Sequence, residues 1–330
     1  MIDFLPYVII FSLSFILTMA IRKWAIQKSI LDFPNERSSH TLPTPRGGGI
    51  AIVIVWFGGL TFFFLTKKVD EKLFFALISG FPLAITGFFD DMVGLKPSIR
   101  FIIQLTCAIL ALYFLGELHS IQFFTKSFSI PILSYLLALV AIVWSINLFN
   151  FLDGIDGYIT SEVAFVGLAI FLLTGDQIGL LLTFTLLGFL FWNWQKAKIF
   201  MGDVGSTLLG FTIAVLAISH HNNNTSSIPV WLILTSVFWF DATVTLLRRI
   251  RNKEQLSRAH RKHAYQRIVQ AGFSHQKTVL CALSLNIIGF IFAFLAIQYK
   301  TFDWLFLFFD LALLLIVLKY IDRKKPFLYT

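Results

Sequence analysis

Eleven long apolar runs, each closed by charged or turn-forming residues, dominate the sequence. They lie near 2–21, 47–66, 73–89, 101–116, 131–149, 158–174, 178–194, 206–219, 228–247, 277–298 and 304–320. A helix needs about 20 apolar residues to cross the hydrocarbon of a bilayer, and inside lipid each backbone N–H and C=O must find its partner within the segment. The runs therefore predict an all-α fold, a polytopic integral membrane helical bundle of about eleven transmembrane helices. The shorter runs need tilt or polar flanks to span, 101–116 and 206–219 above all. Composition agrees: 57% of the 330 residues are hydrophobic and 14% charged, against about 25% charged in a soluble domain. So little chain is left between runs that 1–330 reads as one domain whose chemistry sits in loops and helix ends.

A net charge of +9 would suggest a polyanionic partner in a soluble protein; in a membrane chain it reports topology, and no nucleic-acid partner is expected. Alternate connections collect 22 Lys and Arg on one side and leave Lys67, Lys68, Lys72, Lys126 and Lys300 on the other. Positive residues favour the cytoplasmic side, which places the N-terminus outside and the C-terminus in the cytoplasm. The first run is followed, not preceded, by Arg22 and Lys23, the reverse of a cleavable signal peptide. Cys107 and Cys281 both fall in apolar runs, so no disulfide framework is expected.

Five connections carry more polar residues than a linker needs: 31–49 (LDFPNERSSHTLPTPRGGG), 87–97 (GFFDDMVGLKP), 147–157 (NLFNFLDGIDG), 200–206 (FMGDVGS) and the basic run 248–267. The charge count puts all five on the cytoplasmic face, which favours one assembled site. Asp90 and Asp91 close an apolar helix, where adjacent carboxylates repel each other and attract a divalent cation or a proton; a solvated helix end explains such a pair about as well. Asn147, Asn150, Asp153 and Asp156 recur every third residue, a polar stripe on a helix, although Gly154 and Gly157 suggest that the backbone leaves the helix near the aspartates. Helix–helix hydrogen bonding in lipid accounts for the asparagines but not for all four residues.

In FMGDVGS, Asp203 is a hard oxygen ligand between two glycines. Oxygen donors without a Cys/His cluster favour Mg²⁺, with Mn²⁺ as the alternative, over zinc. His260 and His263, three apart, would share a helical face and resemble zinc ligands, but Arg258, Arg261, Lys262 and Arg267 around them suit anionic phosphate better. Gly47, Gly48 and Gly49 after Arg46 form at most a loose phosphate cradle, since no Lys-Ser/Thr follows; tight packing at a membrane entry explains them nearly as well. Glu162, Asp241 and Asp310 lie within apolar runs, where an ionisable group is costly. Asp241 is expected to pair with Arg248 or Arg249.

These parts point to phosphoryl transfer between a soluble nucleotide substrate and a lipid. From about Leu31 to Gln266 the sequence resembles the polyprenyl-phosphate N-acetylhexosamine-1-phosphate transferases (glycosyltransferase family 4), through DD, NxxNxxDGxDG and FMGDxGS in that order. The form of 32–49 is most similar to the branch initiating O-antigen or related polysaccharides. The resemblance implies a bundle of ten or eleven helices in the bacterial inner membrane, with a cytoplasmic active site. There undecaprenyl phosphate attacks a UDP-N-acetylhexosamine, N-acetylglucosamine or a related N-acetylated sugar with 6-deoxy ones included, to give undecaprenyl-diphospho-sugar and UMP.

It further implies Asp90 as base on the lipid phosphate, Asp91 in support of the metal, and Asp203, with Asn150, as Mg²⁺ ligands. Asn147, Asp153 and Asp156 would shape the nucleotide pocket, and His260, Arg261 and His263 would hold phosphates or nucleotide; the resemblance leaves a homodimer open. Two rivals use similar residues. An ion-coupled transporter should carry its acids near the midplane on broken helices, whereas most acids here gather at one face. A CDP-alcohol phosphatidyltransferase should carry an Arg soon after its first Asp-Gly, and Asp153-Gly154-Ile155-Asp156 has none.

Overall fold

The computed structural model describes residues 3–34, 42–128, 130–256 and 260–329; part of the 31–49 connection and Arg258 lie outside them. In chain order the helices are α1 (Leu5–Gln27), α2 (Gly49–Leu65), α3 (Glu71–Ile78), α4 (Phe81–Val93), α5 (Pro97–Leu115), α6 (Pro131–Leu152) and α7 (Tyr158–Thr174). They continue with α8 (Gln177–Asn193), α9 (Asp203–Asn222), α10 (Ile228–Leu234), α11 (Ser236–Arg251), α12 (Ala264–Gln270), α13 (His275–Gln298) and α14 (Asp303–Lys324). Each of the eleven apolar runs forms a helix or a pair of helices. Seven helical segments are long and apolar enough to cross a bilayer, eight if α10 and α11 count as one bent span. α2, α7 and α8 are apolar but shorter.

Two runs read as continuous are broken. Ser79 and Gly80 separate α3 from α4, with Pro82 in the first turn after the break; proline cannot donate to the preceding turn. α10 and α11 meet at 82° at Thr235, where the indole of Trp239 donates to the carbonyl of Leu232 at 2.8 Å. Two antiparallel ribbons escape a reading by apolar runs. β1 (Leu31–Asp32) pairs with β2 (Thr44–Pro45), Leu31 opposite Pro45. β3 (Ile121–Phe123) pairs with β4 (Lys126–Phe128), Ile121 opposite Phe128.

α9 is the axis. Its apolar window is 83% buried inside the protein, against 22% for α1 and 28% for α13, so α9 is wrapped by protein and the others face outward. Outward residues such as Ile9, Leu133, Ile287 and Phe308 are large, apolar and exposed, a lipid-facing surface that would be untenable in water. Lipid gives helices no hydrophobic drive to associate, so close approach through small residues matters. A Cβ on Gly87 of α4 would stand 2.5 Å from the nitrogen of Val204, and one on Gly49 of α2 would stand 2.5 Å from the nitrogen of Gly205. These glycines let the end of α4 and the start of α2 press against the first turn of α9.

Candidate active site

The first turn of α9 is where the acidic connections meet. Asp203 is its first residue, and Gly202 before it has φ +74°, a conformation that costs a non-glycine residue. The carboxylate of Asp91, on the last turn of α4, accepts the backbone N–H of Asp203 at 3.1 Å, so an anion sits on the positive end of the most buried helix. A Cβ on Gly202 would come within 2.2 Å of Asp91 Oδ2. That oxygen is buried with no hydrogen-bond partner among the described residues.

Two arginines close the acidic group. Arg46 Nη2 lies 2.6 Å from Asp91 Oδ1 and 3.0 Å from Asp203 Oδ1. Arg100 Nη1, on the first turn of α5, lies 2.7 Å from Asp90 Oδ2 and 3.8 Å from Asp203 Oδ2. Asp90 Oδ1 accepts the N–H of Leu95 at 2.6 Å, so both of its oxygens are engaged. Burial works against the charge on Arg46, but Asp91 and then Asp203 outweigh it and raise the guanidinium above its ordinary value.

The polar stripe divides. α6 ends at Leu152 with Asp153 as its C-cap, and Gly157 is left-handed at φ +73°, so the aspartates lie beyond the helix as Gly154 and Gly157 suggest. Asn150 donates to Ser206 Oγ at 3.3 Å and also hydrogen-bonds Asp203. Asp153 faces the carboxylate group across a recess: desolvation, then Asp203, push its carboxyl up to about 7 against the pull of Arg46. Asn147 points elsewhere, donating to Gln104 Oε1 at 2.8 Å and to the carbonyl of Val143 at 2.8 Å, and so ties α6 to α5. Asp156 accepts the N–H of Ala197 at 3.2 Å and stands 3.4 Å from His275 Nδ1, fixing the connection between α8 and α9.

The basic run departs from expectation. His260 and His263 precede α12 and do not share a helical face; their ring centres are 5.0 Å apart in an irregular segment. Desolvation, then His263 and Arg249, lower His260 to about 4, so at neutral pH its imidazole is uncharged. Lys262 N–H donates to His260 Nδ1 at 3.2 Å, which puts the ring proton on Nε2. Asp241 does not pair with Arg248 or Arg249. It accepts the N–H groups of Ala264 at 2.7 Å and Tyr265 at 3.2 Å and the hydroxyl of Thr245 at 3.1 Å, holding the start of α12. Arg248 instead pairs with Asp322 at 2.7 Å, and Arg249 with Glu254 at 3.2 Å. Gln270 donates to the carbonyl of Arg261 at 2.8 Å.

The glycine run is packing. Gly48 N–H and Gly49 N–H donate to the carbonyls of Phe200 and Met201, each at 2.9 Å, and Phe200 N–H donates to Pro45 at 2.8 Å. These donors are consumed, so they cradle no phosphate. The same pairing brings Arg46 over Asp203, a residue that no spacing rule singles out; Arg100 likewise reaches Asp90 only through the turn between α4 and α5.

A cavity of about 710 Å³ is lined by α5, α6, α11 and the basic segment. Its wall is mostly apolar, with Leu105, Val140, Val143 and Leu246, and its polar residues are Asn147, Thr245, Arg249, His260 and His263. On its wall, Phe101 follows Arg100 in α5 and Asn147 lies one turn before Asn150 in α6. Among the described residues no three Asp, Glu, His or Cys side chains converge as a finished metal cage; the aspartates are closed on guanidinium groups instead. The donor set still suits a hard divalent cation: three carboxylates and an amide oxygen, one carboxylate oxygen unpartnered, and arginine nitrogens standing where positive charge is required.

Fold and site define a multi-pass, all-helical membrane protein with an acidic, arginine-bridged site and an apolar cavity. Residues 73–221 match the model of glycosyl transferase family 4. The chain is 33% identical over 309 residues, 89% of its length and 84% of the relative's, to the probable undecaprenyl-phosphate N-acetylglucosaminyl 1-phosphate transferase of Bacillus subtilis (strain 168). It is 30% identical over 310 residues (87% and 82%) to the undecaprenyl-phosphate alpha-N-acetylglucosaminyl 1-phosphate transferase of Yersinia pestis. To the decaprenyl-phosphate N-acetylglucosaminephosphotransferase of Mycobacterium leprae it is 30% identical over 290 residues (75% and 72%). The chain belongs to glycosyl transferase family 4.

Proposed function

We propose that this protein transfers an N-acetylhexosamine 1-phosphate from a UDP-sugar to undecaprenyl phosphate and releases UMP. The observation that carries this reading is the meeting of Asp90, Asp91 and Asp203 with Arg46 and Arg100, Arg100 standing on α5, a helix that also walls a largely apolar cavity. Together they offer phosphate-binding charge and a wall suited to a prenyl chain. The sugar named in the relatives is N-acetylglucosamine; the form of 32–49 resembles the branch that takes the first membrane step of O-antigen or another cell-envelope polysaccharide, which uses several N-acetylated sugars, 6-deoxy ones among them.

In the reaction a phosphate oxygen of the lipid attacks the sugar-bearing phosphorus. A P–O bond forms to the lipid phosphate, and the P–O bond to UMP breaks, its electrons leaving with UMP. Arg100 turns from Asp90 to the incoming phosphate, and Asp90, so released, accepts the proton that the lipid phosphate still carries. Asp153 and Asn147 border the donor, Asp156 fixes the adjoining connection, and Arg261, His260 and His263 meet its phosphates or uridine, His260 as a neutral hydrogen-bond donor. Mg²⁺, or Mn²⁺, held by Asp203, Asp91 and Asn150, supplies neutralisation of the diphosphate charge when bound.

The protein then crosses the bacterial cytoplasmic membrane eleven times, with the N-terminus outside, the C-terminus and the site inside, as a monomer or a homodimer. The test is a transfer assay with purified protein, Mg²⁺ and undecaprenyl phosphate, offered a panel of radiolabelled UDP-N-acetylhexosamines. Label in the organic phase with stoichiometric UMP is expected. Folded protein that transfers none of them would refute the reading.

A further inference from the structure

We propose that Arg46 is the resident counter-cation of the Asp91–Asp203 pair: it clamps the two carboxylates before a divalent cation binds, and that cation displaces it. The inference rests on the divalent-cation reading of the site. Asp91 and Asp203 come from different helices, and like charges in a partly desolvated recess push those helix ends apart. A single nitrogen of Arg46 bridges them, 2.6 Å from one carboxylate and 3.0 Å from the other. Arg46 occupies one oxygen of each carboxylate, Oδ1 of Asp91 and Oδ1 of Asp203, the two side chains that would hold the cation, so guanidinium and cation would compete for the same pair.

Backbone geometry makes displacement a side-chain movement. Pro45, Gly48 and Gly49 are hydrogen-bonded to Phe200 and Met201 at 2.8 to 2.9 Å and Arg46 N–H donates to the carbonyl of Ile30 at 3.2 Å, so the main chain on both sides of Arg46 is tied down next to the segment that carries Asp203. The Arg46 side chain is 33% exposed and has solvent to swing into. Asp32 and Asp153 also act on its charge, beyond the pair itself. Arg100 does not duplicate the clamp, because it belongs to Asp90 at 2.7 Å and stands 3.8 Å from Asp203. Arg46 is thus a positioning residue that sets how tightly the site takes its cation.

A residue that only braced the fold would weaken cation binding when removed, whereas a competitor strengthens it. The experiment measures Mn²⁺ binding to purified full-length protein without substrate, by the paramagnetic resonance signal of free Mn²⁺. Arg46→Gln is expected to bind Mn²⁺ at least about tenfold more tightly than the unaltered protein, or about 1.4 kcal/mol, while its turnover falls and saturates at lower Mg²⁺. Arg46→Lys keeps a point charge but loses the fork and is expected to bind about threefold more tightly, so it decides the matter if the glutamine variant does not fold. Unchanged or weaker binding in a folded Arg46 variant, with binding abolished in Asp203→Asn, would overturn the role of Arg46 and leave the cation reading standing. Mn²⁺ binding that Asp203→Asn does not alter would overturn the cation reading and this inference with it.

Discussion

Asp203 and Asp153 are both carboxylates of the site, yet their surroundings assign them different sensitivities. Asp203 is bridged by Arg46, approached by Arg100 and bonded by Asn150, so deleting its side chain removes the group on which every partner converges. Asp203→Ala is expected to lower turnover at least about 100-fold, the scale of losing a main electrostatic element, with the purified protein still folded; activity within tenfold of normal would remove Asp203 from the chemistry. Asp153 is an exposed residue whose carboxyl is nonetheless pushed up by loss of water around it and then by Asp203. Its carboxyl is raised from 3.8 to about 7, so between those values the folded protein keeps a proton that the unfolded chain has lost. Stability therefore falls as pH rises through that window and levels off above about 7. Thermal midpoints between pH 5 and 8 should show this decline in the unaltered protein and a flatter profile in Asp153→Asn; identical slopes would show that Asp153 is not desolvated.

At the scale of elements, the site depends on how closely three helix ends approach. Gly87 and Gly49 each leave room for the backbone of α9's first turn, and a methyl group on either would stand 2.5 Å from a main-chain nitrogen. Overpacking of this kind typically costs about 1–3 kcal/mol. Gly87→Ala also separates Asp91 from the start of α9, so a loss of turnover larger than the loss of thermal stability is expected. Equal, small effects on both would mean that α4 and α9 adjust freely. The existence of these helices was legible in the sequence because uninterrupted apolar runs have no other solution in lipid. Their interruptions were not: Ser79-Gly80 and Thr235 lie inside apolar sequence, and only packing shows where a run bends. The acidic half of the site was legible too, since Asp90, Asp91, Asn150, Asp153 and Asp203 stand out against an apolar background. Its basic half was hidden, because Arg46 and Arg100 reach those aspartates through chain pairing and a turn that no local spacing encodes. Asp241 misled for the same reason: arginines lay two turns away on its own helix, while its partners are the backbone N–H groups at the start of α12, the Thr245 hydroxyl and, at 3.6 Å, His263.

For the molecule as a whole, α9 supplies a ruler. It runs 20 residues from Asp203 at the carboxylate group to Asn222, about 30 Å at 1.5 Å per residue, which matches the hydrocarbon thickness of a bilayer. The connection after α9 must then open on the opposite side of the membrane from the site and from the basic segment after α11. The alternate-connection count, with 22 of the 27 Lys and Arg on one side, predicts that the site faces the cytoplasm, because positive residues favour that side. Cys107 is buried and Cys281 exposed, so replacing Cys281 with Ser leaves a background suited to reporter cysteines. Asn223 and Lys253 are both exposed. In whole cells, Asn223→Cys should react with a membrane-impermeant maleimide, and Lys253→Cys only after permeabilisation. The reverse pattern would place the site outside, where no cytoplasmic UDP-sugar could reach it, and labelling of both positions from one side would show that α9 does not cross. For the proposed reaction, with a soluble nucleotide donor and a lipid acceptor, this orientation decides whether the carboxylate group can meet both substrates at once.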